Sequence, residues 1–78
     1  MLNMEKDAIL DCRGLSCPMP IVKLAQKIKE LSSGQVLKLL VDDVGAKEDV
    51  PAWCRRTGNE LMGMEEKEGS LSFRIKKT

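Results

Sequence analysis

Hydrophobic positions in the first half of the chain change their spacing twice, and each change marks an element. The short apolar run at residues 8–11 ends near Gly14, which is typical of a strand followed by a turn. From Pro18 onward the apolar residues recur at spacings of three and four, which predicts an amphipathic helix; they are Ile21, Leu24, Ala25, Ile28 and Leu31. The polar segment 32–34 ends this helix, and the nearly continuous apolar run at residues 36–41 predicts an inner strand.

The second half of the chain repeats the sequence of helix and strand and then closes with a hairpin. Asp49 and Pro51 predict the start of a second helix, whose apolar face carries Val50, Trp53, Cys54 and Thr57. Gly58 and Asn59 tolerate the left-handed conformation that ends a helix. A strand at residues 61–65 and a turn at 67–69 follow, and then apolar and polar residues alternate, with Leu71, Phe73 and Ile75 on the apolar side.

The order of these elements predicts an α/β fold. Strand, helix, strand, helix, strand, strand gives a two-layer α/β sandwich with βαβαββ order, in which a four-stranded mixed sheet carries two helices on one face. No element of the sequence is left to cover the other face, which is therefore either wet or used by a partner. We expect a single domain over residues 1–78, with residues 1–6 loose.

Composition narrows the possible chemistry. The chain has 78 residues, of which 42% are hydrophobic, and a domain of this size has one small core, so any reactive group lies near the surface. The formal net charge of +1 gives no overall field to attract nucleic acid or an anionic membrane. The absence of His and Tyr removes the usual general base and zinc ligand, which excludes hydrolase triads and metalloprotease motifs.

The cysteines and the chain start point to a reducing compartment. Three cysteines are an odd number that does not resemble a secreted disulfide framework. The charged first residues lack the apolar stretch of a signal peptide, and the apolar runs are far shorter than the roughly 20 residues needed to span a bilayer. We therefore expect a cytoplasmic protein without a membrane partner.

Cys17 is the candidate reactive thiol. It directly precedes the predicted helix start, where it would serve as N-cap and where the helix dipole favours the thiolate over the thiol. Cysteine is a poor choice for capping alone, because Ser, Thr, Asp and Asn are preferred there. Pro18 and Pro20 remove two donors from the first turn and fix the direction of the chain, so the thiol is presented rigidly. Arg13 and Lys23 are candidate electrostatic helpers.

The other two cysteines have different predicted roles. Cys54 lies beside Trp53 on the apolar face of the second helix, which favours a buried inert thiol. Cys12 either points into the core or resolves an oxidised Cys17 into a disulfide, although their spacing is not that of a thioredoxin motif. The spacing of the three cysteines along the chain matches no zinc or iron–sulfur pattern, so no metal or other cofactor is expected.

Exposed helix residues near Cys17 are candidates for contact with a partner. Met19 follows the thiol and offers either an adaptable apolar contact or core packing. Lys23 and Lys27 form either an ordinary solvated helix face or a docking surface.

The motif around Cys17 resembles that of a known family. The pattern Asp11-x-Arg13-Gly14-Leu15-x-Cys17-Pro18-x-Pro20 is similar to the signature of the TusA/SirA family of small sulfur-carrier proteins. The pair Asp42-Asp43, followed by Asp49-Val50-Pro51-x-Trp53-Cys54, resembles a second block of that family. The similarity extends over nearly the whole chain.

This resemblance implies a function. Cys17 would hold sulfane sulfur as a persulfide, received from a cysteine desulfurase or rhodanese-like donor and passed to an acceptor protein. Pro18 and Pro20 would fix the loop, and Arg13 and Gly14 would shape the approach to the sulfur. Met19 and Lys23 are proposed as partner contacts from their positions on the helix and not from the resemblance. The protein would be a sulfurtransferase-like carrier, in tRNA thiolation or other sulfur metabolism, and not a stand-alone enzyme. Members that serve tRNA thiolation carry a His near the position of Asn59, which this chain lacks.

Two alternatives of other classes stay open at the level of sequence. One is a thiol redox sensor or oxidoreductase that uses Cys12 and Cys17. The other is a regulatory nucleic-acid-binding module that uses Lys23, Lys27 and Lys29, although the nearly neutral net charge argues against direct nucleic-acid binding.

Overall fold

The computed structural model describes residues 8–16 and 18–78 and shows six elements. In chain order they are β1 (Ala8–Asp11), α1 (Met19–Ile28), β2 (Val36–Val41), α2 (Ala46–Thr57), β3 (Glu60–Lys67) and β4 (Ser70–Lys76). The four strands form one sheet in the order β1-β2-β4-β3. β1 is parallel to β2, and β4 is antiparallel to both β2 and β3. The βαβαββ order and the mixed sheet are thereby confirmed.

One face of the sheet carries the core. Alternate residues of the two central strands are almost completely buried there; they are Leu37, Leu39 and Val41 of β2 and Leu71, Phe73 and Ile75 of β4. Side chains of both helices join the same cluster, among them Leu24, Ile28, Val50 and Trp53. Since alternate side chains of a strand point to opposite faces, both helices lie on one face of the sheet, as predicted.

The order of the strands places the last strand of the chain inside the sheet. β4 has a fully apolar buried side, whereas six consecutive residues of β3, 62–67, are exposed. A central position suits β4 because its apolar side is then covered by the helices and both of its backbone edges are hydrogen-bonded. β3 is left at one edge and β1 at the other.

Helix α1 is shorter than its apolar periodicity predicts. It ends at Ile28, whereas Leu31 was the last residue of the predicted helix. Two tighter turns follow, in which the amide of Glu30 donates to the carbonyl of Lys27 at 3.0 Å and the amide of Leu31 donates to that of Ile28 at 3.2 Å. Because these i to i+3 bonds continue the coil in the same direction, Leu31 still reaches the core.

The predicted start of helix α2 was wrong. The helix begins at Ala46, three residues before Asp49, and Pro51 lies inside it. Asp43 starts the turn before the helix, since its side chain accepts the Gly45 amide at 3.0 Å and its carbonyl accepts the Ala46 amide at 3.0 Å. Ala46 is buried, and its packing against the core extends the helix upstream of the proline despite the hydrogen bond that Pro51 cannot make.

The end of α2 and the hairpin of β3 and β4 lie where they were predicted, but β3 is longer than expected. Gly58 ends α2 with a φ of 81°, and its amide donates to the Cys54 carbonyl at 2.9 Å. β3 is longer than the predicted 61–65, because the turn contains only Glu68 and Gly69, with φ values of 50° and 83°. Two consecutive residues with positive φ match the tight turns that suit the twist of a hairpin.

Candidate functional site

The candidate site is the loop between β1 and α1, at the end of the sheet where the parallel strands β1 and β2 finish. Cys17, the predicted reactive thiol, lies outside the described residues. The structure describes both flanks of this cysteine, residues 12–16 and the helix that begins after Pro18. These flanks show how the loop is held.

Asp11 and Arg13 form a two-pronged ion pair at the start of the loop. The Nε atom of Arg13 donates to Oδ1 of Asp11 at 2.9 Å, and Nη2 donates to Oδ2 at 2.8 Å. The backbone amide of Arg13 also donates to Oδ1, at 3.1 Å. The hydrogen bonds from Arg13 lower the pKa of Asp11 to about 2. Arg13 is therefore bound to its own strand end and is only partly available as the predicted helper of a thiolate.

Gly14 connects this loop to the neighbouring strand through Asp42. The Gly14 amide donates to both carboxylate oxygens of Asp42, at 3.1 Å and 3.0 Å. Gly14 has a φ of 86°, in the left-handed region that favours glycine. The amide of Leu15 donates to the carbonyl of Cys12 at 3.2 Å and closes the turn. Asp42, which directly follows the neighbouring strand β2, thus holds the loop in place at this end of the sheet.

Helix α1 begins one residue later than predicted. Pro18 is its N-cap, because the Pro18 carbonyl accepts the first helical bond, from the amide of Val22 at 3.1 Å. The predicted capping role of Cys17 is therefore wrong. The Met19 amide donates to the Ser16 carbonyl at 2.9 Å, so a turn spans the residues on both sides of Cys17. Pro20 is buried and fixes the second helical position.

Three neighbouring side chains of α1 face solvent just beyond the loop. Met19 is 41% exposed and Val22 is 40% exposed, and Lys23 is exposed as well. Residues three and four positions apart lie side by side on a helix, so the three form one small surface with an apolar and a cationic part. We call it the Met19 surface. Met19 is therefore exposed and not packed in the core, and the partner contact predicted for Met19 and Lys23 stays a prediction.

Cys12 and Cys54 are both free thiols in the core, with 0% and 3% of their surface exposed. Burial raises the pKa of both, although the charge of Lys23 opposes that effect at Cys12. A thiol with a raised pKa is a poor nucleophile at neutral pH. The prediction that Cys54 is buried is confirmed, and Cys12 lies in the core, which is the first of the two roles predicted for it.

The described residues contain no cluster of three or more metal-ligating His, Cys, Asp or Glu side chains. Over the same part of the chain, the helices are too short or too polar to cross a membrane.

Two residues of this site were not singled out from the sequence for the roles they have here. Asp42 was grouped with Asp43 as a family block, but its bond to Gly14 joins residues 28 positions apart and depends on the pairing of β1 with β2. Val22 could have been found, because it is an apolar residue that falls outside the three-and-four spacing of the buried stripe.

Comparison with known proteins agrees with this arrangement. The model of the family described as sulfurtransferase TusA matches residues 8–77. The sulfur carrier protein TusA of Allochromatium vinosum is 43% identical over 72 residues, which are 92% of this chain and 95% of that protein. The sulfur carrier protein TusA of Pseudomonas entomophila is 38% identical over 77 residues, 99% of this chain and 96% of that protein.

A solved structure has the same fold. The crystal structure of a SirA-like protein from Desulfitobacterium hafniense superposes with a TM-score of 0.79, at 24% identity, over 88% of this chain and 95% of that one. The match to the family model runs from β1 to β4 and includes the loop held by Asp11, Arg13 and Asp42. The chain therefore belongs to the TusA family.

Proposed function

We propose that this protein is a sulfur carrier that holds sulfane sulfur as a persulfide on Cys17. The observation that carries the proposal is the burial of both other cysteines, Cys12 and Cys54, in a chain that belongs to a family of sulfurtransferases. These two thiols have raised pKa values and no access to a partner protein. Cys17, within the motif that resembles the family signature, is left to carry the sulfur.

The transfer needs no external oxidant or reductant. The Cys17 thiolate attacks the outer sulfur of a persulfide on the donor, a cysteine desulfurase or rhodanese-like protein. A new S–S bond forms at Cys17 while the S–S bond of the donor breaks, and the donor cysteine leaves as a thiolate. A nucleophile of the acceptor then attacks the same outer sulfur, and Cys17 leaves as a thiolate.

The flanking residues have positioning roles in this proposal. The Asp11–Arg13 pair and the Gly14–Asp42 bonds hold the upstream side of the loop, and Pro18 and Pro20 stiffen the downstream side. The Met19 surface lies next to the loop and supplies contact area for donor and acceptor. An exposed loop on a rigid base suits a group that must be offered to two proteins in turn.

The two alternatives receive less support. A disulfide between Cys12 and Cys17 requires Cys12, which is completely buried, to leave the core. A nucleic-acid surface on α1 would use Lys27, whose amine already lies 3.5 Å from the Glu30 carboxylate.

Mass spectrometry of the intact protein tests the proposal. After incubation with a cysteine desulfurase and cysteine, the wild type should gain the mass of one sulfur atom, and a reductant should remove it. The Cys17→Ser variant should show no gain, whereas the matched Cys54→Ala variant should behave like the wild type. A gain that survives Cys17→Ser, or no gain in folded wild-type protein with desulfurase and rhodanese donors, would contradict a persulfide at this position.

A further inference from the structure

The face of the sheet opposite the helices is open and carries charged side chains in a regular array. In strand register, Ile9 of β1, Lys38 of β2, Arg74 of β4 and Gly63 of β3 form one row across this face. The next row contains Asp11, Leu40, Ser72 and Glu65 in the same order. We call the whole surface the open face.

Two cations of the open face stand directly opposite each other without a neutralising partner. Lys38 and Arg74 are paired residues of adjacent antiparallel strands, where opposite side chains begin about 4.5 to 5.5 Å apart. Neither has an ion pair with any other described residue. Like charges in this position oppose folding, so an anion bound between them would relieve a repulsion that already exists.

The charge of the open face as a whole is positive. Its cations outside the Asp11–Arg13 pair are Lys38, Lys67, Arg74 and Lys76, and its carboxylates are Glu60, Glu65 and, in the turn between β3 and β4, Glu68. The central cations, Lys38 and Arg74, face no carboxylate in either neighbouring strand, whereas Lys76 stands opposite Glu60. The face therefore has a local complementarity for acidic groups that the composition alone does not indicate.

Two depressions lie along the open face. A depression of about 230 Å³ lies between Lys38 and Arg74 on one side and β3 on the other. Gly63 has no side chain to fill it, and even an added Cβ would meet no atom within 4 Å. A second depression of about 350 Å³ shares Lys38, Glu65 and Ser72 with the first and reaches Arg13, next to the Cys17 loop. Together they connect the Lys38–Arg74 pair with the start of the Cys17 loop.

Aromatic residues distinguish between the possible acidic partners. Proteins that bind single-stranded nucleic acid stack bases on exposed aromatic side chains. The only aromatic residues of this chain, Trp53 and Phe73, are both buried on the covered side of the sheet. Arginine and lysine without exposed aromatics are better matched to carboxylates, which the planar guanidinium of Arg74 binds in pairs.

We propose that the open face docks an extended, carboxylate-rich segment of a partner protein, with Lys38 and Arg74 as the central contacts. The segment follows the two depressions toward Arg13, so that a protein bound there is held beside the loop that carries Cys17. This interaction is separate from sulfur chemistry, because none of its contacts involves a thiol.

The experiment uses a fluorescein-labelled, glutamate-rich peptide as the probe and follows its anisotropy at low ionic strength. The Lys38→Gln/Arg74→Gln variant should bind about tenfold more weakly than the wild type, since two charges that contact the probe are lost. The control variant Lys29→Gln/Arg55→Gln removes the same net charge from two exposed residues, one at the end of α1 and one in α2, and should bind nearly as well as the wild type. In NMR spectra of the wild type, addition of the peptide should change the backbone amide chemical shifts of Lys38, Ser72 and Arg74.

The Cys17→Ser variant should bind the peptide like the wild type, so failure of sulfur transfer and failure of docking are separate results. Equal weakening in the test and control variants would overturn the proposal, because binding would then follow net charge alone. Absence of binding at low salt would overturn it too. Tighter binding of a single-stranded RNA through the same two residues would replace the acidic segment with nucleic acid as the occupant.

Discussion

The two faces of the sheet are built from the same strands and differ in almost every physical property. On the covered face Leu37, Phe73 and Ile75 have no exposed surface, whereas the residues between them on the open face, Lys38 and Arg74, are at least partly solvated. The covered face gains stability from the apolar area that it removes from water. The open face contributes little and even contains a repulsive pair. The alternation of side chains along β2 and β4 therefore separates the face that stabilises the fold from the face on which we propose docking.

The largest expected effect comes from neighbouring substitutions on the two sides of β4. Phe73→Ala should lower the free energy of unfolding by about 3–5 kcal/mol, because it leaves a cavity in the core. Arg74→Ala, one residue away on the open face, should change it by no more than about 0.5 kcal/mol. Urea denaturation measures both.

Phe73→Leu keeps most of the apolar volume and provides a milder variant if the alanine variant does not fold. If Arg74→Ala lowered the free energy of unfolding as much as Phe73→Ala does, the open face would contribute to stability like the covered face. The contrast between the two faces would then be wrong.

A smaller loss of stability is expected at the end of β2, where Asp42 holds the loop that contains Cys17. Asp42→Ala removes both acceptors of the Gly14 amide and should cost about 1 kcal/mol of stability, because the bond is exposed to solvent. Persulfide transfer to Cys17 should slow as the loop loses its support. Asp42→Asn keeps one acceptor oxygen and should lose less. Equal losses for Ala and Asn would assign the effect to the charge and not to the hydrogen bond.

The repulsive pair on the open face gives an effect of opposite sign. Lys38→Thr should raise the free energy of unfolding by about 0.2–1 kcal/mol, since it removes a like charge opposite Arg74 and introduces a residue that favours strands. The matched control is Lys76→Thr, because Lys76 stands opposite Glu60 and its loss removes an attraction. Thermal unfolding of the two variants should shift in opposite directions, and equal shifts would contradict the repulsion.

The smallest effect is the acid dependence that Asp11 contributes. Arg13 lowers its pKa in the folded protein to about 2, below the ordinary value of 3.8. The unfolded chain therefore takes up the proton first as pH falls. The stabilising contribution is complete above about pH 4 and is lost as pH falls toward 2. Asp11→Asn and Arg13→Gln should each remove this contribution. In both variants, the free energy of unfolding should then depend less on pH between about 4 and 2 than it does in the wild type. A titration of Arg13→Gln like that of the wild type would assign the shift to another group.

Errors of the sequence-based prediction concentrate where packing competes with local rules. Pro51 was taken as a helix start because proline is tolerated in a first turn, but the buried Ala46 lies on the same helix face as Val50 and Trp53 and extends the helix upstream. The N-cap of α1 is Pro18 and not the predicted Cys17. The Met19 amide donates to the Ser16 carbonyl in a turn, and the first helical hydrogen bond is accepted by the Pro18 carbonyl. The ends of helices depend on such single hydrogen bonds, which the spacing of apolar residues does not specify.

The sequence by itself determined the element order, the βαβαββ class, the placement of both helices on one face and the burial of Cys54. These features follow from local periodicity and composition, which act between residues close in the chain. Only the tertiary structure decided that β4 lies between β2 and β3, that Asp42 holds Gly14 and that Lys38 faces Arg74. Each of these depends on the register of strands that are distant in the chain, and register is fixed by how the whole apolar face packs against the helices.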